Sequence, residues 1–273
     1  MLTSKVSFRQ RMRNYRRHPG SFILFLLMAL AALIAVFVIV LLIGYILVNG
    51  IPSLIKGGGD LFAWKYTTDN QSMTPALINT VIMVVLTLIV SVPLGVGAAI
   101  YTTEYAKRGN KLVKVVQVTA ETLSGIPSIV YGLFGFLMFN VACQWGYSML
   151  SGVLTLAIMV LPLIMRTTEE ALQAVPDSYR EGSFGLGAGR LRTVFRITLP
   201  TAMPGILAGI ILAIGRVMGE TAALIFTSGT TAKVPNSLFS STRTLAIHLY
   251  AQLNEGLYME QAYATAVVLL VLV

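Results

Sequence analysis

Charged residues are scarce in this sequence of 273 residues. Asp, Glu, Lys and Arg together make up 11% of it, whereas 56% of the residues are hydrophobic. A typical soluble domain carries about 25% charged residues, so the composition excludes a soluble fold and predicts an all-α integral membrane protein. The net charge of +9 does not indicate nucleic-acid binding, because the basic residues cluster in short segments beside apolar runs.

Cysteine and nucleotide-binding motifs are also lacking. The single cysteine, Cys143, excludes an intrachain disulfide and a multi-cysteine metal site, and we interpret it as a packing residue. The sequence has no G-x-x-x-x-G-K-[ST] phosphate loop, since the GLGAG at 185–189 lacks the lysine and a preceding strand. We therefore expect no catalytic residues, no metal and no cofactor bound by this chain.

Long apolar runs are what the sequence has instead. A helix needs about 20 mostly apolar residues to cross a bilayer, and six candidate spans lie at 22–48, 76–103, 115–140, 150–166, 201–228 and from 261 to the end. The last offers only about a dozen residues, roughly 18 Å of helix, so we expect the natural chain to continue. Turn-forming residues at 57–60 and 227–237 predict connections that are ordered but not helical.

Lys and Arg are distributed unevenly among the segments between these spans. The N-terminal segment and two of the loops hold most of them: Lys5, Arg9, Arg11, Arg13, Arg16, Arg17, Lys107, Arg108, Lys111, Lys114, Arg166, Arg180, Arg190, Arg192 and Arg196. The alternate loops hold only Lys56, Lys65, Lys233 and Arg243. Cytoplasmic loops are enriched in basic residues, which predicts that both termini are cytoplasmic and the 229–260 loop is outside. The basic segment 1–20 is either an interfacial helix or an unstructured flank.

The loop between the fourth and fifth spans is long enough to have a function of its own. After Pro176, Asp177 and Ser178 are suited to cap a helix, and about two turns can form before Gly187 and Gly189 end them. The sequence therefore predicts a short helix with small residues on its surface.

The stretch EGSFGLGAGRLRTVFRITLP resembles the signature of the permease subunits of ATP-binding-cassette importers. That signature runs Glu-Ala-Ala, three residues, Gly, nine residues, then Ile-x-Leu-Pro; the matching positions are Glu181, Gly182, Ser183, Gly187, Ile197, Leu199 and Pro200. Gly182 and Ser183 replace two alanines, but both are small. The resemblance implies the type I importer permease fold: six transmembrane helices, the first at 21–50 and a permease core at 72–273, with a coupling helix between spans 4 and 5. It also implies that Glu181, Gly182, Ser183, Gly185 and Gly187 contact a separate ATPase.

Three ionisable residues lie within the predicted spans. Glu121 lies near the inner end of the third, where hydration at the interface is the simpler interpretation, and Arg216 and Glu220 lie in the fifth. A charge near the bilayer centre costs about 2.5–3.5 kcal/mol on insertion scales, so these side chains should face protein or water. Arg216 and Glu220 are four residues apart, which predicts one helix face and a possible ion pair. That pair is either structural or part of a transport path.

Two further stretches, 121–136 and 215–229, are similar to the phosphate-specific branch of these permeases, and more to its A type than to its longer C type. The resemblance implies that Arg216 and Glu220 take part in phosphate passage, with Glu121 a weaker candidate. It implies a bacterial inner-membrane subunit that works with a second, PstC-like permease, two copies of a PstB-like ATPase that binds ATP and Mg, and an extracytoplasmic PstS-like phosphate-binding protein. Membrane lipid would surround it.

Two alternatives remain open at this point. The first is the same architecture with another solute, such as molybdate, sulfate or an amino acid. The second is a secondary transporter or channel that uses Arg216, Glu220 and Glu121 as a charge relay without ATP, which would leave the 181–200 signature unexplained.

Two other features of the sequence have simpler interpretations. Ser128, Gly132 and Gly135, after the helix-bending Pro127, predict a packing face for a neighbouring helix or a partner permease. We interpret His248 as a surface residue.

Overall fold

The computed structural model describes residues 19–107 and 109–273, and every element in that part is helical. The helices are α1 (Pro19–Lys56), α2 (Gly58–Leu61), α3 (Thr74–Ile100), α4 (Lys111–Ser124), α5 (Ser128–Gly135), α6 (Met149–Gln173), α7 (Asp177–Gly185), α8 (Arg190–Thr193), α9 (Leu199–Met218), α10 (Ala222–Thr227), α11 (Leu245–Glu255) and α12 (Met259–Leu272). Wider π-helical turns follow α3, α5 and α8, at Tyr101–Tyr105, Phe136–Ala142 and Val194–Thr198. The N-terminal segment 1–20 lies almost wholly outside the described residues.

The long apolar helices confirm an all-α membrane protein. Within the described part, four helical segments are long and apolar enough to cross a bilayer, namely Gly20–Lys56, Thr74–Tyr105, Met149–Gln173 and Arg190–Met218. A fifth crossing arises only if α4 and the α5 segment are counted as one bent span. The sixth predicted segment corresponds to α12, which has 14 residues.

The third predicted span is not a continuous helix. It breaks between Ser124 and Ser128, and the two halves meet at an angle of 104°. The cause is local: Gly125 ends α4, and Pro127, which has no backbone N–H, precedes the first residue of α5. The predicted effect of Pro127 is thus confirmed, and it is larger than a simple kink.

The fifth predicted span, 201–228, is also interrupted. Helix α9 ends at Met218 with Gly219 as its cap, and the chain restarts as the short helix α10 at Ala222. The prediction of one helix through residue 228 is therefore wrong. Gly219 and the residues after it interrupt the helical backbone hydrogen bonds well before the apolar pattern ends.

Helix α6 is at the centre of the bundle. About two thirds of its most apolar stretch is buried, and its side chains form the main core with those of α3 and α9. The close approach depends on small residues: a Cβ added at Gly95 would meet Ile164 of α6, and one added at Gly205 would meet Ala171. This is the small-residue packing expected between helices in a membrane. By contrast, the most apolar stretch of α1 is not buried within the described chain. Helix α1 packs against α12 through Gly50, near the C-terminal end of α1.

The bundle has two distinct ends. The basic end comprises residues 101–114 and 174–199, which contact each other through Arg180 and Arg190. The opposite end comprises residues 57–73 and 229–258. The prediction of a non-helical connection at 57–60 is wrong, because residues 58–61 form helix α2. The prediction for 227–237 is confirmed, since α10 ends at Thr227 and the next helix, α11, begins at Leu245.

His248, on α11, is fully buried, so its interpretation as a surface residue is wrong. It packs edge-on against Tyr66, and Gln252 lies 3.1 Å from its Nε2. Burial, together with the nearby charge of Arg243, lowers the pKa of His248 to about 3. The side chain is consequently neutral in the folded protein. Cys143 is exposed and free, so it is not the packing residue that we expected.

Candidate functional site

A cavity of about 400 Å³ lies between α4, α6 and α9. Its wall combines apolar side chains of α6, such as Met159 and Leu163, with an unusual concentration of ionisable residues. These are Glu121 of α4, Arg166, Glu169 and Glu170 of α6, and Arg216 of α9. In a chain with so few charges, five of them around one cavity mark it as the candidate site for a polar solute.

The structure brings two of the three predicted site residues together. Arg216 and Glu121 are both solvent-exposed and both line the cavity. Among the described residues, Arg216 forms no ion pair within 4.0 Å. A guanidinium is always charged and presents planar N–H donors, so Arg216 offers a binding group for an anion.

Glu220 is placed differently from the prediction. Because α9 ends at Met218, Glu220 is not on the same helix face as Arg216, and the predicted ion pair is wrong. The side chain is buried, and its Oε1 accepts a hydrogen bond of 3.0 Å from the backbone N of Ala223. A carboxylate at that point satisfies a free N–H in the first turn of α10. Glu220 therefore holds the interruption between α9 and α10 in place.

Several polar residues of the cavity were not identified from the sequence. Glu169 is buried and accepts hydrogen bonds from the hydroxyl of Thr102 and, at 3.4 Å, from Nε2 of Gln117. Arg166 and Glu170 form an exposed i,i+4 pair at 3.2 Å. The Arg166–Glu170 spacing was available as a signal, but nothing in the sequence indicated that these side chains border a cavity.

The predicted short helix is present at the basic end as α7. Pro176 occupies its N-cap position without a side-chain hydrogen bond, so the predicted capping by Asp177 or Ser178 is not observed. Ser183 is the buried residue of this helix, and its hydroxyl lies 2.8 Å from that of Thr193. Glu181 is exposed.

The small residues of this segment face open space. A Cβ added at Gly182, Gly185 or Gly187 would meet no atom within 4 Å, so their size serves no packing within the described chain. Gly187 has φ +80° and turns the chain out of α7 in a conformation that other residues adopt at a cost. Leu186, beside it, is 91% exposed. This surface has the features of one that another protein covers.

Arg180 connects α7 to the rest of the basic end through a salt bridge. Its Nη2 lies 2.7 Å from Oε1 of Glu104, in the π turn after α3, and the two side chains are 16% and 8% exposed. Hydrogen bonding to Glu104 raises the pKa of Arg180. From the sequence, Arg180 served only to orient the chain, and no sequence signal links it to a residue 76 positions away.

The long apolar helices, the charged cavity and the exposed helix at the basic end define a membrane permease that works with a partner protein. The family model for the binding-protein-dependent transport system inner membrane component matches residues 91–273. The chain therefore belongs to this family, and the sequence-based assignment to importer permeases is confirmed.

Relatives with similar sequences agree with this assignment. The chain is 36% identical over 247 residues to the probable ABC transporter permease protein YqgI of Bacillus subtilis, covering 83% of this chain and 81% of that protein. It is 35% identical over 179 residues to the phosphate transport system permease protein PstA 1 of Mycobacterium tuberculosis, covering 65% of this chain and 58% of PstA 1. Among solved structures, a bacterial ABC transporter involved in the import of the acidic polysaccharide alginate aligns with a TM-score of 0.60 at 16% identity, over 95% of each chain. That last likeness concerns the fold alone.

The chain is thus the membrane permease subunit of an ATP-binding-cassette importer. In this class of importer the ATPase and the solute-binding protein are separate chains.

Proposed function

We propose that the protein carries inorganic phosphate across the bacterial inner membrane into the cytoplasm, driven by ATP hydrolysis in a partner ATPase. The observation that carries this proposal is Arg216, an exposed guanidinium that forms no ion pair with another described residue and lines a cavity of about 400 Å³. The similarity to PstA proteins, at 33–40% identity, supports the same substrate.

Phosphate fits the chemistry of this cavity. Arginine binds phosphate oxygens through two parallel charge-assisted N–H bonds, which gives both strength and orientation. The carboxylates of Glu121, Glu169 and Glu170 also line this cavity. Their negative charge would repel the anion and so favour its release after Arg216 has captured it, as transport requires weak as well as specific binding.

The assembly that we propose has the basic end in the cytoplasm, with both termini on that side. The surface formed by Glu181, Gly182, Ser183, Gly185 and Gly187 would contact an ATPase, which binds ATP and Mg. A second, PstC-like permease, two PstB-like ATPase chains and a PstS-like phosphate-binding protein would complete the importer. Closure of the ATPase pair would move α7 and turn the cavity outward by a rigid-body rotation of the two permeases.

An amino acid is the second candidate solute, and the acidic wall favours it. Glu121 and Glu169 could bind an ammonium group while Arg216 binds a carboxylate. A secondary transporter is less consistent with the geometry, because Glu220 does not line the cavity with Arg216 and Glu121, as the predicted charge relay would require.

Uptake of labelled phosphate by the assembled importer tests the proposal. We expect Arg216→Ala to lower uptake at least tenfold and Arg216→Lys to retain part of it, because lysine keeps the charge but not the paired donors. Lys65→Ala is the control, since it removes an exposed cation from the opposite end of the bundle. Normal phosphate uptake by the Arg216→Ala complex would refute the role of Arg216. Wild-type uptake of an amino acid, molybdate or sulfate in place of phosphate would refute the substrate.

A further inference from the structure

The side chain of Arg180 joins three elements at the basic end. From α7, its Nε and Nη2 donate to the carboxylate of Glu104 at 3.1 and 2.7 Å. Nη1 donates to the backbone oxygen of Val175 at 2.8 Å, and Nη2 donates to that of Leu172 at 2.9 Å. All three guanidinium nitrogens are therefore engaged, and they hold α7, the last turn of α6 and the π turn after α3.

The geometry of this contact resists movement of α7 relative to its neighbours. Both charged groups are largely buried, so water cannot readily replace a lost partner. The planar guanidinium also fixes direction, because its N–H donors meet acceptors on two sides. A contact of this kind favours rigid-body motion of the joined elements over sliding between them.

A second contact continues from the π turn to the cavity. Thr102, two residues before Glu104, donates from its hydroxyl to Glu169, and Glu169 also accepts from Gln117 of α4. Glu169 and Gln117 both line the cavity that contains Arg216. Two sets of polar contacts, joined only by the backbone of the π turn, therefore connect the exposed helix α7 to the candidate solute site.

We propose that Arg180 and Glu104 are a positioning pair for transport. The pair makes α7 and the cytoplasmic ends of α3 and α6 move as one body, so that displacement of α7 by the ATPase reaches the cavity. The inference rests on the proposed contact between α7 and an ATPase, but it does not depend on which solute is carried. Neither residue touches the solute.

Measuring uptake and ATP hydrolysis together in the reconstituted importer tests this pair. In Glu104→Gln and Arg180→Lys, we expect ATPase chains to remain bound and hydrolysis to persist, while solute uptake per ATP falls at least fivefold. Asp177→Asn is the matched control. It removes the 76% exposed carboxylate that also contacts Arg180, at 3.1 Å, and should leave the ratio within twofold of the wild type. An unchanged ratio in both test variants, or loss of the bound ATPase in both, would overturn the proposal.

A distance measurement separates this inference from the phosphate assignment. Spin labels at Tyr179→Cys and Lys107→Cys, in a Cys143→Ser background, report the separation between α7 and the segment after α3. We expect one narrow distance with and without ATP in the otherwise wild-type chain, and a broadened or nucleotide-dependent one after Glu104→Gln. A distance that changes with ATP before Glu104 is altered would overturn the rigid joint, whatever the solute proves to be.

Discussion

Replacement of Glu220 distinguishes a structural carboxylate from one that acts on the solute. Its Oε1 accepts one hydrogen bond, from the N of Ala223, and the side chain is buried. Glu220→Gln keeps an oxygen acceptor at the same position, whereas Glu220→Ala leaves the N–H without its partner. Loss of such a cap costs about 1 kcal/mol, and up to about 2 kcal/mol where the donor that loses its partner stays buried. We therefore expect the alanine variant to unfold more easily and the glutamine variant to resemble the wild type.

Two measurements on purified protein check this expectation. Denaturant or thermal unfolding in detergent gives the stability of each variant, and uptake by the assembled importer gives its activity. For Glu220→Gln we expect uptake within twofold of the wild type. If that variant assembles normally but loses uptake as fully as Glu220→Ala does, the negative charge itself is required and the capping role is refuted.

Two further predictions follow from burial at other positions. A Cβ at Gly132 would lie 2.8 Å from the backbone Cα of Ala223, so Gly132→Ala should lower the free energy of unfolding by about 1–3 kcal/mol. The control is Gly97→Ala, because a Cβ at Gly97 meets no atom within 4 Å. Equal stability of the two variants would contradict the reasoning. A second prediction concerns His248, whose pKa is lowered from 6.5 to about 3 in the folded protein. As the pH falls below 6.5, the unfolded chain binds a proton at this side chain and the folded protein does not, so the free energy of unfolding decreases. Between pH 7 and 5 the loss is about 2 kcal/mol, and a His248→Asn variant with the same pH dependence of unfolding as the wild type would refute this.

Hydropathy predicted where the chain enters the membrane but not the path it takes there. Segment length and apolar content correctly placed α3 and α6, because a continuous apolar helix has few alternatives in a bilayer. The same criterion joined α4 to α5 and α9 to α10, since it counts residues and ignores direction. The signals for both interruptions were present, as Gly125 with Pro127 and as Gly219. The first predicted only a bend, and Gly219 entered no prediction.

The site was predicted only in part, for a related reason. Arg216 and Glu121 were identified because an ionisable residue in an apolar run is conspicuous. Glu169 and Arg180 lie in polar surroundings, where charge is ordinary, and their partners are 52 to 76 residues away in the chain. Contacts of that range depend on how α3, α6 and α7 pack together, which no local pattern records.

The π turn at Val194–Thr198 gives a physical reason for a constant spacing. It begins within the nine residues that separate Gly187 from Ile197 and extends through Ile197 to the start of α9. The π turn already accommodates one residue more than an α-helical turn, and each further α-helical residue advances the helix by about 100°, so an additional residue inserted here would rotate α9 about its axis relative to α7. Arg216 would then face a different neighbour while α7 kept its place. Insertions in this interval should accordingly be far less tolerated than substitutions.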